Sequence, residues 1–415
     1  MFNIEREKLI VQAGVRNVFT PYTPIQQMDL FFGRKKEVSN IITQLNTPGQ
    51  HSVLFGDRGV GKTSLANIAA DMLKDLVGGK LYIKRCDSSD TFPSIMEQIL
   101  SDAGCDINVT SLQKQKAEGG KAGIDFKVLS AGIDTKTTSI EEYDGIRTKA
   151  NSPSWVADQL KGINALFLLD EIDVIAKEEK WKIAELVKQL SDIGSGLKFL
   201  IVGIAETASD LTQGHESVQR CLKETPLRKL SDTEVESIIT NGATKLNIEF
   251  SLSARKKIIT VSAGYAHFTH LLALKASESA IGENRRLIEL GHIKEATDDA
   301  MGDAEGSLRT KYDSVVRSAN TEEFKKILFA ASEIKKDEFT ASDLREMYSQ
   351  LFRKSIQQSW LNAYLIKIVS NENETILRRL AKGVYKFNDP RMPSYIRLAN
   401  INLFPQTDDS LESLI

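Results

Sequence analysis

HSVLFGDRGVGKTSLANIAADML, residues 51–73, decides the fold. Ser52–Phe55 is a short apolar run, and Gly56-Asp57-Arg58-Gly59-Val60-Gly61-Lys62-Thr63 then matches G-x-x-x-x-G-K-[ST] in full, with Ser64 continuing into a helical pattern. A strand, a glycine loop and a helix in that order make a phosphate cradle. The glycines let the backbone wrap closely, so that N–H groups converge on phosphate oxygens. The helix start adds the positive end of its dipole. Lys62 offers a mobile cation to the β- and γ-phosphates, and the Thr63 hydroxyl offers a ligand to Mg²⁺. The motif therefore implies ATP with Mg²⁺.

Downstream, ALFLLDEID (165–173) is an apolar strand that ends in two carboxylates. Asp170 at such an end stands beside Mg²⁺, usually through water, and Glu171 is placed to orient and deprotonate the attacking water. Asp173 is open between a catalytic role and a helix N-cap. The two motifs occur in the order and at the separation that one hydrolytic site needs.

Around them the chain alternates between strand and helix. KLYIKRC (80–86) and LKFLIVGIAET (197–207) are further strands, and continuous apolar runs suit strands buried on both faces. FFGRKKEVSNIITQLN (31–46) reads as a turn at Gly33 and then an amphipathic helix. Residues 1–30 read as a polar arm in which Pro21 and Pro24 disfavour continuous helix, and 105–150 reads as a β-hairpin-like insertion or loop. The nucleotide core spans 31–227, a helical lid and connector 228–315, and a C-terminal domain 316–415. In that last part three helical patterns precede ETILRRLAKGVYKF, two short strands around Gly383, which is the outline of a winged helix. Thr340 or Ser342 can cap the second of those helices.

Composition excludes several classes. With 415 residues, 41% hydrophobic and 27% charged, the chain affords a packed core and is not a disordered sequence. A net charge of −2 restricts any nucleic-acid surface to a local basic patch. Cys86, Cys105 and Cys221 have neither metal nor disulfide spacing, which suits a reducing compartment. No signal peptide or membrane-length apolar run is legible, so a cytoplasmic protein without membrane contact is expected.

On these motifs the chain resembles the AAA+ superfamily, in particular its ORC-type clade of initiator-like ATPases, with STAND and transposition-regulator ATPases as near neighbours. The resemblance covers roughly residues 20–285 and, more loosely, the C-terminal wing. It implies an α/β fold: a three-layer parallel sheet, a helical lid and a winged-helix-like C-terminal domain. Phe32-Gly33-Arg34 with Glu37 resembles the family's adenine-side element. His267 falls at the lid position called sensor 2, where ORC-type members usually carry Arg and STAND-like ones often His. Sensor 1 would be Glu206 or Thr207, where the family often has Asn, Thr or Ser. Arg220 falls where relatives place an arginine that reaches a neighbouring subunit's γ-phosphate, so self-association is implied; Arg58 is a second arginine that can meet a partner or an acidic neighbour.

Arg378, Arg379, Lys382, Lys386, Arg391 and Arg397 crowd the expected wing and its closing helix, which suits sequence-independent, salt-sensitive contact with double-stranded DNA. Trp360, Tyr364 and Phe387 stand at core-like spacing and are expected to pack. Two functions follow: an ATPase that assembles on DNA, or a STAND-like nucleotide switch that regulates a separate effector or regulator protein. A small-molecule kinase is disfavoured, because the Asp170–Glu171 pair, the lid and the wing exceed what one needs.

Overall fold

The computed structural model describes residues 4–74, 80–105, 149–212, 216–303, 306–317, 322–369 and 375–403. Five strands, β1 (His51–Gly56), β2 (Leu81–Arg85), β3 (Leu166–Asp170), β4 (Lys198–Gly203) and β5 (Leu222–Leu227), form one sheet in the order β2-β3-β4-β1-β5. Every pairing in it is parallel. All residues of β3 and β4 are buried, as their continuous apolar runs require. Because strand side chains alternate faces, Leu166, Leu168, Leu200 and Val202 join one core while Phe167, Leu169, Phe199 and Ile201 join the other. Helices Lys35–Asn46 and Lys62–Leu73 cover the first face, and helices Phe92–Asp102 and Lys177–Asp192 the second. The expected three-layer α/β fold is observed.

β5 was not legible. LKETPL alternates from buried Leu222 and Thr225 to exposed Glu224 and Pro226, and a proline is tolerated because β5 is an edge strand. Its register sets Leu227 opposite Gly56, and a Cβ on Gly56 would lie 2.3 Å from the Leu227 carbonyl oxygen. The first glycine of the phosphate loop is therefore also required by the edge of the sheet.

The arm differs from the reading. Residues Ile4–Ala13 and Val15–Val18 are helical, joined at Gly14 with φ 70°. The prolines act only later, where residues 20–27 contain no helix. Ile10, Val15 and Phe19 are buried, and Phe19 meets Phe250 and His270 edge-on. Gly242 makes the space: a Cβ there would come within 2.5 Å of the Phe19 ring. Sparse apolar residues in a charged segment hid an element whose buried face is narrow.

The lid consists of helices Asp232–Leu246, Leu252–Ser262 and Ala266–Gly282, with β6 (Glu249–Phe250) and β7 (Leu287–Ile288) as a small parallel pair. Helices Leu290–Asp303 and Gly306–Arg317 connect onward. The C-terminal module runs helix Glu323–Glu333, β8 (Glu338–Thr340), helices Ala341–Phe352 and Gln358–Val369, β9 (Leu377–Ala381), β10 (Val384–Phe387) and helix Met392–Ala399. Its strands pair antiparallel in the order β8-β10-β9. Thr340 is the cap: its hydroxyl accepts from the Asp343 N–H at 3.1 Å, and the Asp343 carboxylate accepts from the Thr340 N–H at 2.7 Å. Trp360, Tyr364 and Phe387 pack, the first two with ring centroids 4.5 Å apart. The lid and this module share one core, and Ser394 donates to the Ser262 carbonyl at 3.0 Å. The insertion expected within 105–150 lies almost wholly outside the described residues.

Candidate nucleotide site

The phosphate loop leaves β1 and enters helix Lys62–Leu73 with Gly59 at φ 81° and Gly61 at φ 95°, both in the left-handed region that glycine adopts without strain. The Lys62 ammonium donates to the carbonyls of Gly56 (3.0 Å) and Asp57 (2.9 Å), so it is curled onto its own loop. Burial, the largest influence, pulls Lys62 below the usual lysine range, and the negative charges of Asp173, Asp170 and Asp57 oppose that. Asp57 to Thr63 thus make a loop of turned backbone amides with a cation folded beside it.

At the end of β3, Asp170 is 3% exposed and accepts a hydrogen bond from the Glu171 N–H at 2.9 Å. Glu171 is exposed and has φ 59°, uncommon for a residue with a side chain. Such strain concentrates at functional positions. Asp173 lies in the short turn Ile172–Val174 and caps no helix; its carboxylate is 3.7 Å from the Arg58 guanidinium. Among the described residues no three His, Cys, Asp or Glu side chains cluster to hold a metal unaided. Thr63 and Asp170 provide an oxygen each, which fits Mg²⁺, an ion that takes one or two protein oxygens and completes its shell with phosphate and water.

Of the two sensor 1 candidates, the Glu206 side chain lies outside the described residues, and Thr207 is turned inward. Its hydroxyl is fully buried and accepts from the Ile204 N–H at 3.2 Å, and it packs against Gly203, where a Cβ would come within 2.6 Å.

A cavity of about 340 Å³ extends from the loop between the arm, the turn before helix Lys35–Asn46 and the lid. Phe31, Phe32 and Arg34 line it, as does His267. Gly33 (φ 80°) and Arg34 (φ 59°) make the tight turn before helix Lys35–Asn46. The Arg34 guanidinium donates to Glu37 (3.2 Å) and to the Arg228 carbonyl, and its N–H donates to Glu234 (3.2 Å). Glu234 also closes the capping box of lid helix Asp232–Leu246 with Ser231. Burial would raise Glu234, but hydrogen bonds from Ser231 and Arg34 outweigh it and hold its carboxyl below the usual range. The expected adenine-side element is thus tied directly to the lid.

Three contacts fix the arm over the cavity. The Ile25 N–H donates to the Ser64 hydroxyl at 3.0 Å, the Thr20 N–H donates to His270 Nδ1 at 3.2 Å, and His267 Nδ1 stands 3.0 Å from the Pro21 carbonyl. Burial pushes His270 down to about 4, helped by His267, so it is neutral and able to accept.

Sequence reasoning named Arg391 only as a basic residue and missed its place in the cavity. Arg391, 6% exposed, comes from the C-terminal module and stands against the loop: a Cβ on Gly59 would lie 3.5 Å from its side chain. Asp389 accepts from its Nε (3.0 Å) and Nη2 (2.8 Å), and these bonds overcome the effect of burial to keep the Asp389 carboxyl below the usual range. Next to it, the buried Tyr265 hydroxyl donates to the Pro390 carbonyl at 2.6 Å and stands 3.4 Å from Asp57. Arg391 stands at the start of the closing helix, as read, but its place in a basic surface is corrected. Arg397 is corrected too: it pairs with Glu333 at 2.7 Å and is not part of a basic surface. Arg378, Arg379 and Lys382 are exposed on β9 and its turn, while Lys386 is half-buried near Glu338. Arg220 is exposed near the end of helix Glu216–Cys221 and does not line the cavity.

The sequence profile of a family described as nSTAND1, Novel STAND NTPase 1, matches residues 19–372. The Walker-type ATPase PABY2304 of Pyrococcus abyssi is similar in structure, with a TM-score of 0.50 at 15% identity, over 92% of this chain and 99% of that one. The ORC2 protein of Aeropyrum pernix superposes with a TM-score of 0.48 at 14% identity, over 94% and 97%. The zinc import ATP-binding protein ZnuC of Anaplasma phagocytophilum is 29% identical over 80 residues, 19% of this chain. The matched stretch spans about a third (32%) of that curated relative's length. The P-loop ATPase resemblance read from the sequence is borne out by the family match and by the shared fold. Among the described residues no helix is long and apolar enough to cross a membrane.

Proposed function

Because the chain belongs to the nSTAND1 family of Novel STAND NTPases, we propose that it is an ATP-hydrolysing switch whose nucleotide governs the docking of the C-terminal module on the phosphate loop. The observation that carries this reading is Arg391. A guanidinium from outside the nucleotide core lines the nucleotide cavity, and the same turn is hydrogen-bonded to Tyr265 of the lid. A phosphate arriving at Gly59 competes with Asp389 for Arg391, and bidentate arginine contacts discriminate strongly by charge and geometry.

In this mechanism Lys62 exchanges the carbonyls of Gly56 and Asp57 for the β- and γ-phosphates. Thr63 and Asp170 would hold Mg²⁺, which would supply charge neutralisation for the phosphates. Glu171 orients a water and takes its proton. Phe31, Phe32 and Arg34 bound the base side, and His267 faces the phosphates from the start of lid helix Ala266–Gly282. Hydrolysis removes the charge that competes for Arg391 and resets the docked state. The units are the arm, the core to 227, the lid and connector to 315, and a C-terminal module, in a cytosolic chain.

The experiment compares wild type, Lys62→Ala and Glu171→Gln for nucleotide binding and turnover, and follows amide exchange in Met392–Ala399 without nucleotide, with ADP and with a non-hydrolysable ATP analogue. Lys62→Ala should lose binding, and Glu171→Gln should bind while turning over orders of magnitude more slowly. Exchange in Met392–Ala399 should differ between ADP and the analogue. Identical exchange in all three states would rule out the switch.

A second reading rests on Arg378, Arg379 and Lys382, exposed together on the β9 edge of a winged-helix outline: contact with the DNA backbone. Turnover that rises with double-stranded DNA and falls as salt increases would favour it over a protein effector.

A further inference from the structure

Besides Lys62, the phosphate loop carries a second cation, Arg58, whose side chain is 67% exposed and lines the nucleotide cavity. Among the described residues it pairs with Asp173, at 3.7 Å and 14% exposed. Arg58 follows β1 and Asp173 follows β3, and β4 runs between those two strands in the sheet. The pair therefore spans the carboxyl end of β4. Ligands of open parallel sheets bind beyond the carboxyl ends of the strands; on that side Asp170 ends β3 and Glu171 follows it, and Lys62 lines the cavity.

We propose that Arg58 is a charge-stabilising residue for phosphoryl transfer supplied within the same chain, and that Asp173 holds it aside until a nucleoside triphosphate is bound. The proposal rests on the reading of this loop as an ATP-hydrolysing site. An exposed ion pair at 3.7 Å is weak, because solvent screens it and a long side chain must be ordered to make it. A terminal phosphate presents more negative charge than one carboxylate and a geometry that the guanidinium fork matches, so it displaces Asp173. A diphosphate ends short of the gap above β4, and Arg58 stays on Asp173. In the transfer itself the water oxygen bonds to the terminal phosphorus and the phosphorus–bridging-oxygen bond breaks. ADP leaves with the electron pair, and the water proton passes to the Glu171 carboxylate. Negative charge spreads over the three equatorial oxygens, and a fixed guanidinium there stabilises that distribution. Arg58 thus does within the chain what a neighbouring subunit's arginine does elsewhere, and Asp173 makes the response depend on the third phosphate.

The test measures equilibrium binding of ADP and of a non-hydrolysable ATP analogue, together with turnover, in the full chain. The variants are Arg58→Ala, Arg58→Lys, Asp173→Asn and the Arg58→Ala/Asp173→Asn double variant. Arg58→Ala should weaken the analogue about tenfold or more relative to ADP and cut turnover by roughly 10³-fold, the lower end seen for phosphoryl-transfer arginines. Arg58→Lys should restore much of the binding difference but little of the turnover, since it keeps charge and loses the fork. Asp173→Asn should raise the analogue-to-ADP preference, and the double variant should abolish that rise. Retained ADP binding certifies that each variant folds. An unchanged analogue-to-ADP ratio in Arg58→Ala, or an equal loss for both nucleotides, overturns the proposal. A wild-type chain that binds neither nucleotide overturns the site reading beneath it.

Discussion

Acidification from pH 7.5 to 5.5 should destabilise the fold by roughly 3 kcal/mol, nearly all of it through two buried histidines. Burial pushes His51 down to about 3, with Lys198 adding to the effect, and His270 down to about 4, with His267 adding to it. Both rings act as acceptors: His51 Nδ1 takes the Phe199 N–H at 2.9 Å and His270 Nδ1 takes the Thr20 N–H at 3.2 Å. An imidazolium has no acceptor nitrogen. For each group the folded value lies below the unfolded value of 6.5, so its stabilisation is full above that value and is lost as pH falls toward the folded one. At pH 5.5 an unfolded chain binds about one proton at each ring and the folded chain almost none, which costs about 1.4 kcal/mol per histidine. That figure depends on the unfolded value and is insensitive to the folded one as long as it stays below about 5. The window also lies above the range in which unfolded carboxylates titrate. Urea unfolding midpoints at the two pH values measure the loss. His51→Gln and His270→Gln each keep an acceptor and should each remove about half of it. A fall of under about 1 kcal/mol, or the same pH dependence in both variants, would refute the assignment. Because the folded His270 ring stays neutral through this window, the Thr20 bond should keep the arm over the cavity, and nucleotide affinity of the folded chain should weaken only as pH falls toward 4, less so in His270→Gln.

Gly56→Ala should destabilise by about 2–3 kcal/mol, since its Cβ meets a carbonyl of β5 that cannot rotate away, and thermal or urea unfolding reads this directly. Tyr265→Phe leaves the Pro390 carbonyl without its donor and should cost about 1–2 kcal/mol; amide exchange in Met392–Ala399 should quicken, and unchanged exchange would show that Tyr265 does not hold the module. Arg220→Ala should lower turnover only at concentrations where the chain self-associates. Mixing it with Lys62→Ala should then restore activity, and no restoration would count against an arginine acting between subunits.

The legible part of the molecule was the part in which local sequence and function coincide. The phosphate loop must carry its glycines in order along the chain, and a doubly covered strand such as β3 must be apolar throughout, so both announce themselves. The edge strand β5 answers to one buried face only and needs a proline-tolerant rim, so LKETPL gives no continuous apolar signal. The arm is the same case in helical form: Ile10, Val15 and Phe19 suffice for burial, spread among charges. Arg391 shows a different limit. In a run with Arg378, Arg379 and Lys382 it reads as one more basic residue of a wing. Only the fold separates the three that face solvent from the one that Asp389 orients toward Gly59.

The shared core constrains how the proposed switch can work. Helix Met392–Ala399 buries Met392, Tyr395, Ile396 and Leu398 and packs against lid helix Leu252–Ser262, connector helices Leu290–Asp303 and Gly306–Arg317, and helix Glu323–Glu333. Undocking that exposes even two of these side chains costs about 3–6 kcal/mol at the usual 1.5–3 kcal/mol per large apolar side chain. Breaking the Tyr265 and Ser394 hydrogen bonds adds about 1 kcal/mol each. A ligand shifts a two-state equilibrium only by its differential affinity, and moving a population from 1:99 to 99:1 already takes about 5.5 kcal/mol. Competition between a phosphate and Asp389 for one guanidinium does not reach that sum by itself. In the proposed switch, triphosphate binding would therefore loosen the docked module, and full opening would need something that covers the exposed apolar face, whether an effector or a second copy of the chain. Nucleotide and partner are then linked reciprocally: a partner that prefers the undocked module must tighten triphosphate binding by the same factor by which triphosphate tightens the partner.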